Sequence, residues 1–177
     1  EWRGRNSESP WIVGFGYDDS LLAEQRHPTR FDLDKVSTDR PVLLLHVSGH
    51  FVTCNSKCLE IAGISAETPN PQGGVIRRKP GTQEPDGVLE ETALQMAMAK
   101  LPRPTPAQML AAIKLNQDYY LSMGITTAQE GAAAMGLLDS YAAMAGSEML
   151  KMDVVVYPAV REVADLDPTF ESRQVYD

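Results

Sequence analysis

Apolar positions fall in short runs separated by polar stretches that carry glycine and proline. Trp11-Ile12-Val13-Gly14-Phe15-Gly16-Tyr17-Asp18 is a β-like run broken by two glycines. Pro41 to Val47 is a continuous apolar run, which predicts a strand buried on both faces. Asn55 to Ala62 reads as a short helix stopped by Gly63 just past its end. From Thr68 to Gly87 prolines and glycines flank Val75-Ile76-Arg77-Arg78, a pattern that predicts a hairpin or irregular loop rather than a linker, because the β-run needs a partner. A helix is expected over Leu89 to Lys100, with Glu90 and Glu91 in its first turn, where the backbone dipole favours carboxylates.

Thr105-Pro106-Ala107-Gln108 combines a capping hydroxyl, a proline at the first helical position and a glutamine three residues after the cap. A helix therefore starts there, threads Met109, Ile113, Leu115 and Tyr120, and ends at Met123 before Gly124. The rhythm then becomes strand, helix, strand over Ile125–Gln129, Gly136–Ala145 and Met152–Tyr157. Such alternation predicts parallel pairing in an α/β layer structure. Two strands with one crossover leave open edges, so this half reads as a slice of a larger sheet.

Composition narrows the function classes. The 177 residues suffice for a real core, and 43% apolar with 23% charged residues is ordinary for a folded protein. A net charge of −8 without a Lys/Arg run argues against nucleic acids and anionic membranes as partners. No apolar stretch approaches the roughly 20 residues of a spanning helix. The start at Glu1-Trp2-Arg3-Gly4-Arg5 shows no apolar signal core and no initiator Met, which leads to the expectation of an internal piece of a longer, cytoplasmic protein. Cys54 and Cys58 are too few for a disulfide framework. On one helix face they would make half a zinc site, but no second pair completes it, and two packed thiols are the favoured reading.

The strings Leu33-Asp34-Lys35-Val36-Ser37-Thr38-Asp39-Arg40-Pro41-Val42, His50, Asn55-Ser56, Leu59, Ala62-Gly63-Ile64, Pro71-Gln72-Gly73-Gly74 and Pro85-Asp86-Gly87-Val88-Leu89-Glu90-Glu91 follow one another in an order that resembles amidohydrolase family 3. Gly124-Ile125-Thr126-Thr127-Ala128-Gln129-Glu130 resembles the second barrel strand of amidohydrolases. The resemblance implies an α/β fold, a partial (β/α)8 barrel with an α+β insertion. Residues 1–104 would be an insertion, or lid, after strand one, and 105–177 would supply helix one, strand two, helix two and strand three. It implies hydrolysis of C–N bonds in a small amide- or formamide-like substrate by water activated on a divalent metal, zinc foremost, with a strand-eight aspartate shuttling the proton. A non-catalytic regulatory or binding homologue of the same fold is the alternative, and a free-standing binding domain a third reading.

The family's metal is held by a His-x-His pair, two later histidines and an aspartate. No His-x-His occurs among His27, His46 and His50. This chain alone is therefore expected to bind no stoichiometric metal and to be inactive. Three residues are candidates for a substrate pocket. His50, freed by Gly49 at the end of the buried run, stands where the family carries an active-site histidine, the bland alternative being a helix cap. Asn55 is foremost a helix cap and could also line the pocket. Glu130 ends the expected strand two, where barrel enzymes place catalytic groups. His46 reads as a satisfied structural histidine and His27, beside Pro28, as solvent-exposed. Exposed strand edges predict a homo-oligomer.

Overall fold

A computed structural model describes residues 9–134, 138–147 and 149–159. Backbone contacts divide the chain into two compact units, Glu1–Arg103 and Pro104–Asp177.

The first unit is built on a five-stranded mixed sheet. Its elements are β1 (Ile12–Tyr17), α1 (Arg30–Asp34), β2 (Val42–His46), β3 (Phe51–Cys54), α2 (Ser56–Ala62), β4 (Gly74–Arg78), β5 (Pro85–Glu91) and α3 (Leu94–Met98). The strands lie in the order β1-β2-β3-β5-β4, with β1 and β2 parallel and the other neighbours antiparallel. Leu43, Val52, Ile76 and Leu89 point into one core with Cys58 and Leu59 of α2 and Leu94 and Ala97 of α3. Ile12, Leu33 and Val42 form a smaller cluster that takes in α1. The run at Pro41 to Val47 is thus covered on both faces at its start, as its unbroken apolar character requires.

Local signals explain several joints. Helix α2 begins at Asn55, whose side chain accepts from the Cys58 N–H, and it stops at Gly63, which takes the left-handed φ of 71° and lets the Ile64 N–H donate to the Leu59 carbonyl. Asp34, at the end of α1, accepts from both the Ser56 N–H (2.9 Å) and the Ser56 hydroxyl (2.7 Å), so the Leu33-Asp34 and Asn55-Ser56 strings form one clasp. The region from Thr68 to Gly87 holds β4, the turn and the start of β5, and the β4–β5 hairpin runs on past it to Glu91.

Two expectations are corrected. The segment from Leu89 is not a helix: Val88, Leu89 and Glu90 pair with β3, and Leu89 to Glu91 pair with β4. Glu90 and Glu91 therefore sit in a strand between two others, where the ladder satisfies backbone groups that a helix's first turn would leave open. The helix is only α3, after the turn at Glu91, whose φ is 51°. Cys54 ends β3 instead of sharing a helix face with Cys58, and both thiols are free and fully buried. Burial and the neighbouring Cys58 push the Cys54 thiol well above its usual value, which keeps it a neutral packing group.

The second unit comprises α4 (Pro106–Ser122), β6 (Thr127–Ala134), α5 (Leu138–Gly146) and β7 (Asp153–Ala159). Thr105 and Gln108 close a reciprocal capping box with Pro106 at the first position. Strands β6 and β7 pair in parallel from Thr127↔Asp153 onward, with an irregularity between Glu130 and Ala133. The expected start of α5 at Gly136 lies outside the described residues, as does the N-terminal Glu1–Arg5. The one buried residue of α4 is Gln117, whose amide donates to the Met149 carbonyl (3.1 Å) and whose oxygen accepts from the Lys151 N–H (2.6 Å). The described residues are mixed α/β and contain no closed barrel. None of their helices is long and apolar enough to cross a membrane.

Candidate functional site

Because β1 and β2 run parallel, their C-terminal residues Tyr17 and His46 are register partners. The connection after β1 carries Asp19 and His27 back to the same rim. His46 Nε2 lies 3.0 Å from an Asp19 carboxylate oxygen, and its Nδ1 lies 2.8 Å from the Ser48 hydroxyl and accepts from the Ser48 N–H (3.1 Å). Tyr17 bridges two partners: its hydroxyl is 2.9 Å from His27 Nδ1 and 3.1 Å from the Thr53 hydroxyl. Ring packing fixes the set, with His27 and His46 edge-to-face at 5.4 Å and Phe51 4.8 Å from the His27 ring. Arg77 stands over the other reach of Phe51 at 5.6 Å and is paired with Glu90.

The environment shapes the charges. Burial pushes the Tyr17 phenol up, so it stays protonated. Burial also pushes His27 down, against the pull of Asp19 in the other direction, which favours the neutral imidazole. One ligand atom each from Asp19, His27 and His46 lies within 4.8 Å of the others, the one such group among the described residues. His27 is half-buried, contrary to the expectation of an exposed loop histidine, because the connection folds its ring onto Phe51 and Tyr17. His46 has partners at both ring nitrogens.

Of the three residues singled out from the sequence, His50 and Asn55 fall in the first unit and Glu130 in the second. His50 lies at the tip between β2 and β3, after Gly49 with its φ of +76°. Its side chain is 61% exposed, and Nδ1 faces both oxygens of Glu91 at 3.0 and 3.1 Å. His50 precedes a strand, so the helix-cap alternative fails. Asn55 is fully buried and has no capacity left for a substrate: its oxygen accepts from the Val42 N–H (2.9 Å) and the Cys58 N–H (2.8 Å), and its amide donates to the Ser37 carbonyl (2.8 Å) and the Arg40 carbonyl (2.9 Å). The pocket-lining reading of Asn55 is therefore corrected. Glu130 sits inside β6, not at its end, since the strand runs on to Ala134. Its carboxylate accepts from the Ala132 N–H at 3.1 Å, and with burial it raises Tyr141.

Asp19 had no signal in the sequence, and neither did its meeting with His27 and His46. Their spacing matches no ligand motif, and only the parallel pairing of β1 with β2 brings them together.

Comparison with known proteins places the chain in a family. The family model described as "Amidohydrolase family" matches residues 1–177. The chain belongs to the amidohydrolase family. Among curated relatives, the amidohydrolase YtcJ of Bacillus subtilis is 37% identical over 95 residues, which are 54% of this chain and 18% of that protein. An N-substituted formamide deformylase of Arthrobacter pascens is 40% identical over 86 residues, 49% of this chain and 16% of the enzyme. The Arabidopsis thaliana protein LONG AFTER FAR-RED 3 is 31% identical over 120 residues, 68% of this chain and 20% of that one. The chain thus spans a fifth or less of these relatives' lengths. A metal-dependent hydrolase of Pyrococcus furiosus shares the fold with a TM-score of 0.51 at 24% identity, over 89% of this chain and 31% of its own. A counterpart from Pyrococcus horikoshii gives 0.53 at 22%, over 85% and 28%.

Proposed function

We propose that the protein containing this chain is a metal-dependent hydrolase of C–N bonds in small amide- or formamide-like molecules, with zinc as its metal. In this reading residues 1–104 are an insertion that covers the site, and 105–177 supply helix one, strand two, helix two and strand three of a (β/α)8 barrel. The observation that carries it is the family match over residues 1–177. Support comes from the 40% identity to an enzyme named for formamide deformylation and from the parallel β6-α5-β7 unit, the repeating element of such barrels.

In enzymes of this kind the metal supplies a bound water of lowered pKa. The ligand pattern expected for that metal, beginning with His-x-His, does not fit the residues present, so no step is assigned to a barrel metal here. What this chain contributes is His50. Glu91 accepts from its Nδ1–H, which leaves Nε2 of the neutral ring as an acceptor that reaches out from the strand tip toward a substrate N–H.

The test is release of amine from a panel of N-formyl and N-acyl amines by the full-length protein, before and after chelation and metal return. Turnover that falls on chelation and recovers with zinc is expected. His50→Gln should lower kcat/KM by about 10²–10⁴-fold with an unchanged melting temperature. No release across the panel by the metal-loaded protein sinks the reading, and near-normal turnover by His50→Gln sinks the role of that residue alone.

A further inference from the structure

We infer that Asp19, His27 and His46 form a site for one divalent transition-metal ion of the zinc, cobalt or nickel kind, on the rim of the sheet in the first unit. The sequence alone offers no such site, and the inference does not rest on the proposed reaction. Two imidazoles and one carboxylate suit borderline ions better than magnesium or calcium, which prefer all-oxygen shells. The three ligand atoms lie within 4.8 Å of one another, so small ring rotations bring them onto a common ion at about 2.0–2.2 Å.

The surroundings supply what imidazole ligands need. A ligating histidine donates its second ring N–H to an acceptor that fixes tautomer and orientation. For His27 that partner is the Tyr17 hydroxyl at 2.9 Å from Nδ1, and for His46 it is the Ser48 hydroxyl at 2.8 Å from Nδ1. Both hydroxyls can accept: Tyr17 then turns its own proton toward Thr53, 3.1 Å away. Without a cation, His46 Nε2–H donates to Asp19. An ion takes the place of that proton at Nε2, and the pair becomes two ligands. The ring's one proton then sits on Nδ1, where the Ser48 hydroxyl accepts it and the Ser48 N–H gives up its bond. Edge-to-face packing of the two rings, with Phe51 behind them, holds them in place before the ion arrives. Three protein ligands leave at least one coordination position for water or another small ligand.

The test is titration of the chelator-treated chain with cobalt(II) and zinc, followed by calorimetry and by the visible absorbance of cobalt. The expected result is one ion per chain with nitrogen/oxygen coordination bands. His27→Gln and His46→Gln should each weaken binding about tenfold or more, and Tyr17→Phe by about 10–100-fold. His50→Gln should bind like the parent. Should a variant fail to fold, acylation of the parent chain by diethyl pyrocarbonate serves instead, with peptide masses expected to show zinc shielding His27 and His46 but not His50. Absence of saturable binding, stoichiometric binding that survives both His27→Gln and His46→Gln, or no selective shielding would overturn the site.

Discussion

The four hydrogen bonds of Asn55 tie the strand start at Val42, the loop carbonyls of Ser37 and Arg40, and the first turn of α2 to one amide. Replacing it with alanine leaves the Val42 and Cys58 N–H groups and the Ser37 carbonyl buried without this partner, while the Arg40 carbonyl is only partly buried, and each orphaned buried group costs roughly 1–3 kcal/mol. Asn55→Ala should therefore destabilise the first unit by about 3–5 kcal/mol, measured as a lower midpoint in urea with an unchanged slope. A shift under about 1 kcal/mol would mean that water replaces the amide. His27 and His46 make the opposite case at the same scale, since their partners are side chains at a rim, open to exchange with an ion.

Strand β5 depends on Gly87 at the level of elements. Its φ of +104° suits glycine, and a Cβ there would meet the Cys54 carbonyl oxygen at 2.5 Å and the Arg30 nitrogen at 2.6 Å, both backbone atoms that cannot swing aside. Gly87→Ala should cost on the order of 3 kcal/mol from strain and overpacking combined, read as a fall in melting temperature. An equally stable Gly87→Ala protein would show that the β5 path can shift. The motif Pro85-Asp86-Gly87 is thus accounted for by close packing of β5 against β3 and α1. The adjoining residues explain why a helix was expected at Leu89: two glutamates before an apolar run look like a helix start, and only the open edges of β3 and β4 turn that segment into a strand.

For the molecule as a whole, the second unit leaves much apolar surface in water. Met109, Leu115, Tyr119 and Met123 around α4 are 47%, 69%, 65% and 66% exposed, and Val155 and Tyr157 of β7 are 44% and 52% exposed. A parallel sheet that, among the described residues, has two strands with such faces seeks cover. The chain is expected to self-associate, with sedimentation giving a mass that rises with concentration. A clean monomer at high concentration would count against this.

Signals that act within a few residues were decided by the sequence itself. The capping box at Thr105, the Asn55 and Gly63 ends of α2, the turn between β4 and β5 within Thr68–Gly87 and the β-α-β rhythm after Gly124 need only local backbone preferences and apolar spacing, and the structure contains them. Family membership was legible for a related reason, since the ordered strings at Leu33-Asp34, Asn55-Ser56 and Pro85-Asp86-Gly87 mark the clasp, the cap and the close approach that hold the first unit together. What depended on partners distant in the chain was not legible. The strand at Leu89–Glu91 exists because β3 and β4 flank it, Asn55 is spent because the core closes around it, and Asp19 meets His27 and His46 because two parallel strands end side by side. Hydrogen-bond ladders and shared burial are properties of neighbours in space, so only the tertiary structure could decide them.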